Sequence, residues 1–173
     1  MTLQHLNDAE KQKYRDGIRN LLVLCDKEFV PPISSRTSTT QSNLSQKEAG
    51  DGISSYLDAL MEQEIVCAFD GDTLLGFVSY RLDHTCDEIG ADTHPNLYVS
   101  TLIVSPESRG QGLTKIIYAN LFEKYASRRI FTRTWSTNLA HIKILEKFGF
   151  SEHRRIKNHR GENIDTVYFA LKQ

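Results

Sequence analysis

The sequence lacks the features of a membrane-spanning or a disulfide-stabilised protein. It has no uninterrupted apolar run near the ~20 residues that a membrane helix needs, and its polar first residues do not form a signal-peptide core. It has only 3 cysteines, Cys25, Cys67 and Cys86, which lie far apart along the chain. This spacing favours reduced thiols over a disulfide framework or a metal cluster. We therefore expect a cytoplasmic protein that does not enter a membrane.

The chain also lacks an excess of charge of either sign, since its formal net charge is −1. No stripe of basic residues accompanies Trp135 or Tyr80, so nucleic acid is a poor candidate partner. The charge is unevenly distributed: residues 1–96 contain 8 Lys and Arg against 16 Asp and Glu, and residues 97–173 contain 13 against 6. This division fits an anionic cofactor held by the second part and a cationic substrate attracted to the first. Ordinary solvated surface charge explains it equally well.

The sequence does contain enough apolar residues, 39% of 173, for one domain with its own core. Two helices are predicted in the first part of the chain. One is capped by Asn7 with Glu10 in a capping box, and the other, with apolar residues from Ile53 to Met61, follows a second capping box at residues 45–48. Between them, residues 35–44 are polar, have little to bury and predict a mobile loop.

The rest of the chain predicts strands and helices in alternation. An Asp-Gly turn at residues 70–71 predicts a hairpin of residues 65–69 and 74–80. Residues 97–104 predict a central strand, and periodic apolar residues from Leu113 onward predict a helix packed on the sheet. A strand over residues 129–136, a helix capped by Asn138 and ended by Gly149, and strands over residues 152–157 and 164–172 complete the prediction.

The segment Arg109-Gly110-Gln111-Gly112-Leu113-Thr114 joins the central strand to the next helix. A helix start carries unpaired N–H groups and positive dipole, so glycines that admit an anion to the backbone create a phosphate site. The dinucleotide pattern fails because Lys115 stands at its last glycine, and the P-loop pattern fails because Thr114 precedes that lysine. The loop therefore predicts another phosphate-bearing ligand, with an ordinary strand-to-helix turn as the alternative.

Three motifs in this order resemble the GNAT superfamily of acyl-CoA-dependent N-acyltransferases. Arg109 and Gly112 match the family's pyrophosphate loop, Q/R-x-x-G-x-G/A, and Thr114 replaces its final small residue. Residues 102–106 resemble the family's fourth strand, and Asn138 with residues 145–150 resembles its second cofactor motif. The resemblance implies an α/β (α+β) GNAT fold in a single domain, residues 1–173. Its mixed, mostly antiparallel central sheet would be splayed between the fourth and fifth strands and flanked by about four helices.

The resemblance also implies that acetyl-CoA binds as a co-substrate. The strand segment would give main-chain hydrogen bonds to the pantetheine arm, and the loop N–H groups would hold the pyrophosphate. Arg109 would support the loop or a phosphate, and Asn138 would contact the pantetheine or phosphate region or serve as a plain helix cap. The implied cofactor-binding residues are Leu102, Ile103, Val104, Arg109, Gly110, Gln111, Gly112, Leu113, Thr114 and Asn138.

The resemblance leaves the general base open. Many relatives carry a glutamate on the fourth strand where this chain has Ser100, and Tyr98 is the next residue outward on that face. Glu88, Asp92 and His94 precede the strand and are candidate proton acceptors, directly or through water. For each of these three, a solvated loop residue is the favoured alternative.

The general acid is open as well, because the family's frequent tyrosine aligns with Leu145, which cannot donate a proton. Tyr168 on the last strand is a candidate substitute, with an ordinary strand aromatic as the favoured alternative. Asp165 is expected to anchor an amine or, with slight preference, to bind backbone groups near the turn before it. His141 and His159 lack metal-ligand spacing and are expected to be polar surface or capping groups, so no metal is predicted.

The resemblance thus implies an N-acetyltransferase in which a primary amine of a small molecule or peptide attacks acetyl-CoA directly in a ternary complex. Residues 35–44 and 83–96 would shape the acceptor pocket. A non-catalytic CoA-binding or partner-binding module and an enzyme with another acyl donor are the alternatives. The sequence leaves the acceptor and the oligomeric state open, a homodimer included.

Overall fold

The computed structural model describes residues 1–44, 52–90 and 93–171. Within these ranges it contains seven strands and four α-helices. In chain order they are β1 (Thr2–His5), α1 (Asp8–Cys25), α2 (Ile53–Met61), β2 (Glu64–Asp70), β3 (Thr73–Leu82), β4 (Asn96–Val104), α3 (Leu113–Lys124), β5 (Arg129–Trp135), α4 (Leu139–Lys147), β6 (Phe150–Ile156) and β7 (Thr166–Leu171).

The strands form one sheet in the order β1-β2-β3-β4-β5-β7-β6. Strands β4 and β5 run parallel, and the other neighbouring pairs are antiparallel. A parallel pair needs a crossover, and α3 supplies it. The predicted fold class, a mixed and mostly antiparallel sheet with about four helices, is confirmed.

The sheet is splayed between β4 and β5. Pairing begins at Asn96 with Arg129 and ends at Val99 with Thr132, so the following residues of the two strands do not face each other. Beyond that point β4 pairs only with β3, and β5 pairs only with β7. The predicted splay is therefore present, and it exposes main-chain groups of β4 on one side.

Each face of the sheet is covered by two helices. Helices α3 and α4 pack on one face, where Ile117, Tyr118 and Leu145 belong to one buried cluster with strand residues such as Val66 and Val78. Helices α1 and α2 pack on the other face, against the intervening strand residues such as Cys67. A smaller cluster beside β4, β5 and β7 consists of Ile89, Tyr98, Phe131, Tyr168 and Ala170. Burial of these side chains supplies the main drive for folding.

The predicted helix caps that fall on described residues are present. The Asn7 side chain accepts from the Glu10 N–H at 3.0 Å, and the Glu10 carboxylate accepts from the Asn7 N–H at 2.9 Å. Gly149 has a φ of 86°, which suits the residue that follows α4. The second predicted capping box, residues 45–48, lies outside the described residues.

Two features of the fold differ from the sequence prediction. Strand β1 was not predicted, because its four residues are too few to show an alternating pattern. The expectation that residues 35–44 have little to bury is wrong, since Arg36, Thr39 and Leu44 are buried. The Gln63 side chain donates to the Thr39 hydroxyl and Arg36 donates to the Pro31 carbonyl, so these polar residues are satisfied inside the protein.

No described helix combines the length and the apolar character that crossing a bilayer requires.

Candidate functional site

The divergence of β4 and β5 opens a cleft of about 580 Å³. Its walls are residues 99–104 of β4 and residues 132–135 of β5. Its ends are formed by the loop before α3, the N-terminal turns of α3 and α4, and the side chains of Cys25, Glu28 and Phe29. Most of the predicted cofactor residues therefore meet in one space.

Strand β4 carries a bulge at the edge of this cleft. Ser79 of β3 faces Thr101, whereas the next residue, Tyr80, faces Val99, so Ser100 is the extra residue in β4. The Ser100 hydroxyl lies 2.9 Å from the Ser79 hydroxyl and donates to the Gln63 side chain. Ser100, where the resemblance implies a carboxylate in many relatives, thus belongs to a network of neutral side chains.

The glycine loop presents free main-chain donors to the cleft. Gly110 and Gly112 have φ values of 78° and 77°, a left-handed conformation that glycine adopts without steric cost. Among the described residues, the N–H groups of residues 110–114 donate to no carbonyl in a turn, loop or cap. Since α3 begins at Leu113, the last of these groups are the unpaired donors of a helix N-terminus. The loop can therefore accept an anion.

The Arg109 side chain connects the loop to the end of β4 and to the residues at the end of α1. Its Nε donates to the Val104 carbonyl at 3.2 Å, and its Nη2 contacts the Glu28 carboxylate at 2.8 Å and the Cys25 Sγ at 3.6 Å. Of the two predicted roles for Arg109, the structure provides contacts for loop support. The Gln111 side chain, in contrast to its neighbours in the loop, does not line the cleft.

The N-terminus of α4 brings Asn138 and His141 to the cleft. The Asn138 side chain accepts from the His141 N–H at 3.4 Å and donates to the Thr134 hydroxyl at 3.1 Å, so Asn138 is a helix cap that also faces the cleft. We expected a polar surface or capping group at His141; its side chain is half-buried, and its Nε2 lies 3.1 Å from the Tyr118 hydroxyl. Burial lowers the pKa of His141 to about 4, so its imidazole is neutral near pH 7.

Three other catalytic candidates lie beside the cleft, in or next to the small third cluster. Tyr98 and Tyr168 are buried there, and Glu88 is the neighbour of Ile89. Burial raises the pKa of both tyrosines. The charge of Arg133 opposes this rise at Tyr168, and the charge of the Glu88 carboxylate adds to it.

The remaining candidates lie in different places. His94 is at the far end of β4, where its Nδ1 lies 3.3 Å from the Asp83 carboxylate, and Asp92 lies outside the described residues. Asp165 accepts from the Asn158 N–H at 3.0 Å and pairs with Arg155, which confirms the structural role favoured for it. His159 contacts the Thr166 hydroxyl at 2.9 Å.

Sequence reasoning missed a group of three arginines near the cleft, Arg36, Arg133 and Arg160, which we call the arginine cluster. Arg133 lines the cleft, while Arg36 and Arg160 are 5% and 7% exposed. Arg133 alternates with Phe131 and Trp135 along β5, and an arginine on the same face of a strand as two aromatic residues is a signal that was available. The contribution of Arg36 and Arg160 depends on contacts between distant parts of the chain.

Comparison with protein families gives one match that covers most of the chain. The model of the Acetyltransferase (GNAT) family matches residues 34–150. A sequence search of curated proteins finds no match.

Solved structures with a similar fold include two aminoglycoside acetyltransferases. An aminoglycoside 6'-N-acetyltransferase complexed with coenzyme A has a TM-score of 0.68 and 18% identity, and the alignment covers 99% of this chain and 96% of that one. The aminoglycoside 6'-N-acetyltransferase from Enterococcus faecium has a TM-score of 0.66, 18% identity and the same coverage of 99% and 96%.

A third similar structure comes from a different class of acetyltransferase. The ribosomal-protein-alanine N-acetyltransferase from Brucella melitensis has a TM-score of 0.65 and 14% identity, and the alignment covers 100% of both chains. Identities this low establish a shared fold only, and they say nothing about the acceptor.

Proposed function

Since this chain belongs to the GNAT family of acetyltransferases, we propose that it transfers the acetyl group of acetyl-CoA to a primary amine of a small molecule or peptide. The amine attacks the thioester directly while both substrates are bound. The proposed enzyme is cytoplasmic and acts on neither nucleic acid nor membrane.

One observation carries the proposal: the splayed strand β4 and the glycine loop border the same cleft. Main-chain groups of β4 that lie beyond Val99 and do not pair with β5, such as those of Leu102, suit the amides of a pantetheine arm, which would pair with β4 as an additional strand does. The unpaired N–H groups of residues 110–114 suit the pyrophosphate of the same molecule. The two features fit a ligand that carries both a peptide-like arm and a diphosphate.

The chemistry requires a neutral amine, a stabilised oxyanion and a leaving thiolate. A free N–H of β4, at Leu102 or its neighbour, would face the developing oxyanion beside the Ser100 bulge. Glu88 is the candidate base, through water, and the Tyr168 hydroxyl is the candidate acid for the thiolate. Tyr98 and Ser100 stay catalytic candidates, and of the two Ser100 lines the cleft. Binding both substrates in one cleft removes much of the entropic barrier.

One observation favours the alternative of a non-catalytic CoA-binding module. Among described residues, Glu28 is the carboxylate that lines the cleft, and it is paired with Arg109. A base that acts on the amine must therefore come from beside the cleft.

Calorimetry with acetyl-CoA and a thiol-release assay over a panel of amines, peptides and lysine derivatives test the proposal together. We expect saturable acetyl-CoA binding and acetylation of at least one amine above the rate of spontaneous hydrolysis. Binding without turnover on any acceptor would support the non-catalytic module, and an absence of binding would refute both. Larger thermal shifts with succinyl-CoA or longer acyl-CoA than with acetyl-CoA would point to another donor.

A further inference from the structure

No described carboxylate forms an ion pair with a guanidinium group of the arginine cluster. The ion pairs among the described residues involve Arg15, Arg109, Arg128 and Arg155 but none of the three cluster arginines. Their hydrogen bonds go to neutral acceptors instead. Arg36 donates to the Pro31 carbonyl, Arg133 to the Gln41 carbonyl at 2.7 Å and the Tyr168 hydroxyl, and Arg160 to the Val30 carbonyl at 2.6 Å and the Thr166 hydroxyl.

Burying several guanidinium groups close together costs free energy unless an anion binds between them. Burial and the charges of Arg36 and Arg133 lower the pKa of Arg160 to about 9. Burial, with the Arg133 charge added, also lowers the pKa of Arg36, and this shift remains although Tyr56 and the Asp26 carboxylate oppose it. At Arg133 burial acts in the same direction, but the phenolic oxygens of Tyr98 and Tyr168 outweigh it and raise the pKa, so this guanidinium stays charged.

The cluster borders the cleft on the side of β5. Arg133 lines the cleft directly, at a position where β5 has already separated from β4. Phe29 and Trp135 also line it, with ring centroids 5.5 Å apart. The Arg36 guanidinium lies 5.4 Å from the Phe29 ring centroid, and the Arg160 guanidinium lies 5.7 Å from that of Trp135. Arg36 and Arg160, which do not line the cleft, therefore pack against the aromatic rings that line it next to Arg133.

The cluster is separate from the donors that suit the pyrophosphate. The loop N–H groups lie at the start of α3, and the Arg109 guanidinium beside them bonds to the Val104 carbonyl and the Glu28 carboxylate. The cluster arginines bond instead to residues 30, 31 and 41, in the segment between α1 and α2, and to residues 166 and 168 of β7. An anion at the cluster would thus belong to the acceptor rather than to the coenzyme.

We infer that the acceptor amine carries an oxyanion, a carboxylate or a phosphate, which Arg133 binds in the cleft with Arg36 and Arg160 behind it. The inference rests on the proposed function and narrows its substrate class. Guanidinium groups bind carboxylate and phosphate through paired, charge-assisted hydrogen bonds, and the Nε of Arg133 has no acceptor in the described part of the chain. The acidic first part of the sequence had suggested a cationic substrate, and we replace that expectation with an acceptor that carries an anionic group.

A panel of matched acceptors tests the inference. The thiol-release assay compares amino acids with their carboxamides, phosphoethanolamine, spermine and kanamycin. We expect kcat/KM to be about 10- to 100-fold higher for the acids or for phosphoethanolamine than for the neutral or cationic amines. Preference for phosphoethanolamine identifies the oxyanion as phosphate. Equal or faster acetylation of the carboxamides, spermine or kanamycin would overturn the inference while leaving the acetyltransferase intact.

Substitution of the cleft arginine gives a second test. In Arg133→Gln we expect KM for the anionic acceptor to rise about 10-fold or more and the preference over the carboxamide to vanish, with the Kd for acetyl-CoA unchanged. Arg129→Gln removes the same charge from the other end of β5 and should change neither value. An equal loss of acetyl-CoA affinity in Arg133→Gln would assign the cluster to the coenzyme instead.

Two further measurements keep the test decisive if Arg133→Gln fails to fold or turnover is absent. Arg133→Lys keeps the charge but not the planar fork, and it should restore folding with an intermediate KM. Calorimetry on the protein saturated with CoA then compares succinate with succinamide. Binding of succinate alone supports the inference without any turnover, and equal or absent binding of the pair contradicts it.

Discussion

At the scale of single residues, the backbone conformation of Gly112 and the charge of any side chain placed there determine whether the loop can bind an anion. Gly112 has a left-handed conformation, is the N-cap of α3 and lines the cleft. Because it has no side chain, an anion can approach its N–H group. A Cβ at Gly112 would meet no atom within 4 Å. Its replacement is therefore limited by φ and by what the new side chain does in the cleft.

Gly112→Asp should weaken acetyl-CoA binding by about 10-fold or more, because a carboxylate would stand where a diphosphate is bound. Calorimetry on the folded variant measures this directly. Gly71→Asp is the matched control: Gly71 also has positive φ, 54°, and open space around it, but it lies in the β2–β3 turn. Asp tolerates the left-handed region, so both variants should fold. Equal affinity in the two variants would contradict the pyrophosphate assignment.

At the scale of elements, strand β4 has three features that together form the cleft wall. It pairs with β3 along most of its length, it bulges at Ser100, and it leaves β5 after Val99. Its contact with β3 is close at Gly76, where a Cβ would lie 2.5 Å from the Ile103 carbonyl oxygen and 3.0 Å from the Val104 Cα. The position of the cofactor-binding segment therefore depends on the absence of a side chain on the neighbouring strand.

Gly76→Ala should lower the free energy of unfolding by about 1–3 kcal/mol, because the added methyl group meets backbone that cannot move without shifting β4. Urea denaturation measures the loss. In Gly17→Ala the added methyl group would lie 3.3 Å from the end of the Leu74 side chain, which can adjust, so this helix variant should be unchanged or up to about 1 kcal/mol more stable. Equal stability of the two variants would show that β3 and β4 separate easily.

At the scale of the whole molecule, burial keeps two imidazoles neutral. Burial lowers the pKa of His141 to about 4, and burial with the charges of Arg81 and Arg133 lowers that of His84 to about 4. In the unfolded chain both would titrate near the ordinary value of 6.5. Between pH 6.5 and 4 the unfolded state therefore binds more protons than the folded state, and stability falls as the pH is lowered.

Urea denaturation at pH 7 and at pH 4.5 tests this dependence. His141 alone should account for a loss of about 2–3 kcal/mol over this interval, since each pKa unit corresponds to about 1.4 kcal/mol. His141→Gln should remove that share of the pH dependence, whereas His153→Gln, at an exposed position on β6, should leave it in place. An unchanged pH dependence in His141→Gln would mean that this imidazole is protonated at little cost.

Prediction from the sequence succeeded where near neighbours along the chain determine the structure. The Asn7 cap contacts a residue three positions away, and the β2–β3 hairpin closes through adjacent residues. It failed where the partner is distant. Arg133 and the Gln41 carbonyl are 92 positions apart, and Arg160 and the Val30 carbonyl are 130 positions apart. No local pattern shows that these groups meet.

The sequence by itself determined the order of strands and helices from α1 onward, the glycine loop before α3 and the family resemblance, because these depend on periodicity and on short spacings. Only the tertiary structure decided that residues 35–44 carry buried groups and that three arginines gather beside the cleft. The physical reason is that the cost of burying a charge depends on which groups surround it in space. The preference for an anionic acceptor is inferred from the groups that surround the arginine cluster, and it is therefore a property of the folded molecule.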